Sequence, residues 1–184
     1  MMKASIHPLL FCLLMLPALG TVADGEVKLV IDTRQSTLRV MEEGAVIQEF
    51  GDIAIGRFGT TRYKQMGDNR TPLGTFRIGW ITRETRYHRF MGIDYPDMLT
   101  ASRALFDGTI DFSLWERVRR DVDAGRTPSQ KTPLGGYLGI HGIGKGDIEV
   151  HREFNWTNGC VALTNEQIDR LADWVTVGTE VEIR

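Results

Sequence analysis

The sequence predicts a mostly β domain with peripheral helices, and three observations carry that expectation. Twenty glycines recur through 184 residues with scattered turn signals, which favours many short strands over a helical bundle. Apolar residues alternate with a period of two along the N-terminal half, as half-buried strands require. Helical spacing is confined to two stretches in the C-terminal half.

Taken in chain order, Val27, Leu29 and Ile31 alternate with Lys28, Val30 and Asp32, and Thr33 to Ser36 is a polar turn. Leu38 and Val40 then share one side of Thr37 to Met41, so the pair reads as a hairpin. Glu42, Glu43 and Gly44 turn the chain again into strand pieces at Ala45 to Phe50 and Ile53 to Ile55. Gly56 to Gly74 is rich in polar residues, Gly and Pro, and reads as a long loop of the kind that carries function. Thr75 to Ile81 returns to strand, with Phe76, Ile78 and Trp80 on one face.

Phe112 to Ala124 spaces Trp115, Val118 and Val122 at helical intervals, and Gly125 stops it. Tyr137 to His141 and Asp147 to His151 read as two strands around a glycine-rich turn. A second helix starts at Thr164, with Gln167 placed for a capping box and Ile168, Leu171, Ala172 and Val175 as its buried stripe. Gly178 ends it, and Val181 to Ile183 closes the domain as a strand.

The first 23 residues read differently. One lysine and no acid in Met1 to Pro8, an apolar run Leu9 to Leu16 broken by Pro17, and small residues at Ala18, Gly20 and Ala23 follow the order of a secretory signal peptide. The run is well short of the roughly 20 residues that span a bilayer, so no stable transmembrane anchor is expected after cleavage. The expected organisation is a signal peptide over 1–23 and one domain over 24–184, placed in the periplasm. About 160 residues suffice for a single core. A formal net charge of -2 gives no electrostatic reason to expect nucleic acid or an anionic membrane as partner.

Export makes the cysteines informative. Cys12 lies in the leader, so the mature domain keeps Cys160 alone, with no internal disulfide partner. Such a thiol is buried and inert, paired with another chain, or reactive. A cysteine attacks carbonyls as its thiolate, so it needs a proton acceptor and donors that hold the oxyanion. Gly159 permits a sharp corner at Cys160, and Thr157 can add a hydroxyl donor. His88, His141 and His151 are the candidate bases. His141 ends an apolar strand before Gly142, and its ring is expected to project from the sheet edge. His151 shares a face of the second strand with Asp147 and Glu149, but with no third ligand at suitable spacing neither a metal nor any other cofactor is expected.

His141-Gly142, a spacer, and Thr157-Asn158-Gly159-Cys160 followed by an apolar residue together resemble the signature of the YkuD-type L,D-transpeptidases. Asp68 to Phe76, with Thr71-Pro72-Leu73-Gly74, and Met91 to Pro96 resemble further stretches of that family's periplasmic members. The resemblance covers Val27 to Arg184. It implies a β-sandwich or open barrel, and a cysteine acyl-enzyme mechanism on peptidoglycan stem peptides, in cell-wall biogenesis and cell shape. Cys160 is then the nucleophile, His141 the base, and the Gly142 carbonyl the group that orients the imidazole. Gly159 and Cys160 N–H groups are the implied oxyanion hole, with Thr157 and Asn158 beside it.

Many family members carry arginine or asparagine two places after the cysteine, where this chain has Ala162. The form here resembles a branch that includes an enzyme cutting lipoprotein from peptidoglycan, so a wall-linked lipoprotein is a further candidate partner. Arg70 or Arg62 is expected to bind a stem carboxylate instead. Transfer to an amine and hydrolysis by the same Cys–His site both remain open, and a non-catalytic wall-binding module is the reading from a different class.

Overall fold

The computed structural model describes residues 25–184, so the leader assigned to 1–23 lies outside the described residues. Strands β1 (Val27–Asp32), β2 (Thr37–Glu42) and β3 (Ala45–Phe50) form the expected antiparallel meander, with Leu29 opposite Val40 and Ile31 opposite Leu38. All four of these side chains are fully buried. Glu43 and Gly44 both take positive φ, the geometry of a two-residue hairpin turn whose twist matches the strands. The loop that follows contains a short parallel pair, β4 (Thr60–Thr61) with β5 (Thr71–Pro72).

Strand β6 (Gly74–Thr85) runs longer than its apolar alternation suggests and pairs antiparallel with β7 (His88–Ile93). Sequence reading leaves β7 and helix α1 (Met98–Phe106) unassigned. Helix α2 (Phe112–Asp123) follows as expected, capped by Asp111. Strand β8 (Gly139–Gly142) comes next, then helix α3 (Ile148–Glu153), strand β9 (Val161–Leu163), helix α4 (Asn165–Leu171) and strand β10 (Glu180–Ile183). The capping box of Thr164 and Gln167 is formed.

The segment expected as a strand from Asp147 to His151 is the helix α3. Asp147 accepts from the N–H groups of Glu149 and Val150, which starts a helical turn that alternation alone does not reveal. Asp147, Glu149 and His151 therefore share no strand face.

Eight strands form one sheet in the order β3-β2-β1-β10-β6-β7-β8-β9. The C-terminal strand enters the middle, parallel to β1, with Leu29 opposite Val181 and Ile31 opposite Ile183. Beyond β3, at one edge, the chain reaches β9 at the other: Ala54 and Ala162 exchange hydrogen bonds of 3.0 and 2.7 Å. That bridge bends the sheet into an open barrel and covers an edge that would otherwise offer free backbone groups. Ile168 and Leu171 of α4 pack into the core with Ile140 and Leu163 of β8 and β9.

Candidate active site

His141 and Cys160 come together through strand register. β8 and β9 are parallel neighbours, with His141 opposite Ala162. Cys160 stands immediately before β9, at the end of the strand that pairs with His141. One side of β8 is closed by α4: a side chain at Gly142 would meet Asn165 and Ile168 within 3.0 Å. Both functional residues line one cavity of about 1160 Å³.

His141 does not project from a sheet edge. β8 lies between β7 and β9, and the ring is only 2 % exposed. Tyr87 stacks on it at 4.3 Å, Phe90 stacks at 6.0 Å, and Trp156 meets it edge-on at 5.8 Å. Nδ1 donates to the Gly142 carbonyl at 2.7 Å, which leaves Nε2 as the acceptor. Burial in this aromatic box pushes the imidazole down to about 4, against a smaller opposing effect of the Gly142 hydrogen bond. The ring is neutral at pH 7.

The corner carrying Cys160 is held from two sides. Asn155 Oδ1 accepts from the Ile55 N–H at 2.9 Å, and Thr157 exchanges backbone hydrogen bonds with Ile55 and Arg57. Thr157 Oγ1 accepts from Gly159 N–H at 3.0 Å and donates to the Cys160 carbonyl at 2.7 Å. The expected oxyanion roles of Gly159 and Thr157 are thereby altered: the Gly159 N–H and the Thr157 hydroxyl are spent on fixing the corner. The Cys160 N–H makes no hydrogen bond among the described residues and is the donor left for an oxyanion. Gly159 itself is required on two counts, a φ of +132° and a Cβ position 2.6 Å from the Arg70 carbonyl.

The half-buried thiol donates to the Tyr137 carbonyl at 3.6 Å. Desolvation pushes it up to about 11, opposed by the Gly139 amide and the charge of Lys64. The resting pair is therefore neutral thiol and neutral imidazole.

Sequence reading missed several residues of the cavity. Tyr87 and Phe90 belong to the unassigned β6–β7 hairpin, and Tyr137 takes a positive φ that turns its carbonyl to the sulfur. Tyr95, also unforeseen, is buried with its hydroxyl 3.0 Å from the Lys64 carbonyl and 2.9 Å from that of Leu134, which joins two loops walling the cavity. Arg70 is exposed, its guanidinium directed to the Thr60 carbonyl, and neither it nor Arg62 lines the cavity. Arg57 does, and so does Asn158, whose Oδ1 accepts from Arg57 Nη2 at 2.7 Å. The run of polar residues around Arg57 gives no signal that separates it from Arg62 or Arg70. His151, expected on a strand with Asp147 and Glu149, sits on α3, is 2 % exposed and accepts from the Trp156 indole at 3.3 Å.

The described residues contain no helix long and apolar enough to cross a membrane. The family profile described as YkuD, L,D-transpeptidase catalytic domain, matches residues 26–183. The chain belongs to that family, whose members are acyltransferases of the L,D-transpeptidase type. No curated protein matches it in sequence.

Solved structures carry the same fold. The helical cell shape determining protein Pgp2 from Campylobacter jejuni aligns at 21% identity with a TM-score of 0.58, over 88% of this chain and 48% of that one. Bd1075 from Bdellovibrio bacteriovorus aligns at 21% identity and a TM-score of 0.53, over 90% of this chain and 50% of that one. An L,D-transpeptidase from Enterococcus faecium aligns at 13% identity and 0.50, over 86% and 50%. The chain spans about half the length of each of these proteins.

Proposed function

We propose that this protein catalyses cysteine-dependent acyl transfer on peptidoglycan stem peptides through a thioester at Cys160. The observation that carries this reading is the shared cavity of Cys160 and His141, with the Nδ1–H tied to Gly142 and Nε2 left to accept a proton. Cys160 Sγ attacks the carbonyl of the L-centred residue of an L,D bond while His141 Nε2 takes the thiol proton. The carbonyl oxygen becomes an oxyanion facing the Cys160 N–H. The C–N bond then breaks, His141 returns the proton to the leaving amine of the D-residue, and the thioester remains.

An amine or water releases the acyl group. Ala162 is fully buried and bonded to Ala54, so it offers no polar group to an acceptor, which favours water as a second reading. The amine of a wall-linked lipoprotein is a further acceptor, or its attachment bond a further substrate. The name of the Pgp2 relative points to cell shape as the process served. Export by the leader 1–23 would bring the enzyme to the periplasm, where its substrate lies.

Intact mass spectrometry tests the reading. Incubation with a synthetic stem tetrapeptide should give a Cys160 adduct lacking the mass of the D-residue, and Cys160→Ala should give none. Products formed with and without an acceptor amine separate transfer from hydrolysis. Turnover by Cys160→Ala would reject covalent catalysis.

A further inference from the structure

Cations crowd the cavity that holds Cys160. Arg57, Lys64, Arg86 and Lys131 line it and no carboxylate does, in a chain whose overall charge is slightly negative. Lys64 is neutralised by Asp68 at 2.5 Å. Arg86 lies over Tyr87 on the His141 side, and Lys131 is exposed at the rim. Arg57 differs from both because its head is aimed by the segment that carries the nucleophile. Nη2 donates to Asn158 Oδ1 at 2.7 Å and to the Trp156 carbonyl at 3.4 Å, and the Arg57 N–H donates to the Thr157 carbonyl at 3.0 Å.

Those acceptors are neutral, and Arg57 forms no ion pair among the described residues. Nε–H and the two Nη1–H groups keep no protein partner among the described residues, so the guanidinium can still give a carboxylate charge-assisted hydrogen bonds. A guanidinium already oriented by two acceptors loses less freedom on binding than a free one. We propose that Arg57, held by Asn158, is a specificity residue that selects a donor peptide by the free carboxylate of the residue released from Cys160. The inference rests on the proposed acyl transfer and adds to it the end of the substrate that must be unblocked. Asn158 is thereby a positioning residue, acting through Arg57.

Two peptides test this, a stem tetrapeptide ending in a free carboxylate and the same peptide ending in a carboxamide. Wild-type kcat/KM should favour the acid by about 10- to 100-fold, the range expected when hydrogen bonding to a charged group is lost. Arg57→Gln should collapse that ratio to near one, Arg57→Lys should leave an intermediate ratio, and Asn158→Ala should lower it while keeping the charge. The readout compares two substrates on one variant, so a partly unfolded sample lowers both rates and leaves the ratio intact. Equal wild-type turnover of the two peptides, or an unchanged ratio in Arg57→Gln, overturns the assignment. Failure of the wild type to process either peptide overturns the proposed acyl transfer, and this inference with it.

Discussion

Acid should destabilise this protein through one ring. The His141 imidazole is held down from 6.5 to about 4 by burial among Tyr87, Phe90 and Trp156. Between those two values the unfolded chain binds a proton at this position and the folded protein does not. Stability therefore falls as pH falls through the window from 6.5 to 4, and the loss is complete below it. At about 1.4 kcal/mol for each pH unit in the window, His141 contributes a loss of about 3 kcal/mol. That is a large fraction of the stability of an ordinary domain.

The perturbation that isolates the effect is His141→Asn, which keeps a donor near the Gly142 carbonyl and removes the titrating ring. Urea unfolding of both proteins between pH 7 and pH 4 gives two stability curves. Groups remote from the ring titrate in both proteins and cancel in the difference, while His151, whose charge acts on His141, leaves a smaller contribution of its own. The wild-type curve should drop by about 3 kcal/mol relative to the variant, whatever the variant's absolute stability. Parallel curves across that window would show that the ring is not held neutral by burial, and the description of the site as a neutral thiol–imidazole pair would fail.

Three further outcomes follow from the same geometry. The acid limb of kcat/KM should fall near pH 4, since Nε2 must be unprotonated to accept the thiol proton, and a limb near 6.5 in a pH–rate profile would contradict the aromatic box. Gly159→Ala should cost at least about 2 kcal/mol in denaturant unfolding, because φ is +132° and the new Cβ would meet the Arg70 carbonyl. Thr157→Val should cost about 2 kcal/mol by leaving the Gly159 N–H and the Cys160 carbonyl unpaired, and should slow formation of the Cys160 adduct. Thr157→Ser, which restores the hydroxyl, should recover most of both.

Part of the fold was legible along the chain because strands such as β2 and β10 bury one face. The β1–β2–β3 meander, the α2 helix and the capped α4 helix each follow from local alternation or a local cap, and those cues need no distant partner. Where burial is set by distant residues, the cues fail. β7 mixes His88 and Arg89 with Phe90 and Met91, and its short stretches of alternation fit no template. α3 spans only six residues, too few to establish a helical period, so Asp147 to His151 looked like a strand.

Local sequence determined which residue types bear the chemistry. A cysteine after Asn158-Gly159 and a histidine before Gly142 stand in an order that resembles the family's signature, because the proposed acyl transfer needs a nucleophile, a base and the backbone freedom for a tight corner. Tertiary structure alone decided what those residues experience. Parallel pairing of β8 with β9 brings together side chains far apart in the chain, and the hairpin of β6 and β7 closes aromatic rings over the imidazole. Proton affinity depends on desolvation and on the neighbours in space. Neither the neutral resting pair nor the aim of Arg57 could be read from residue order.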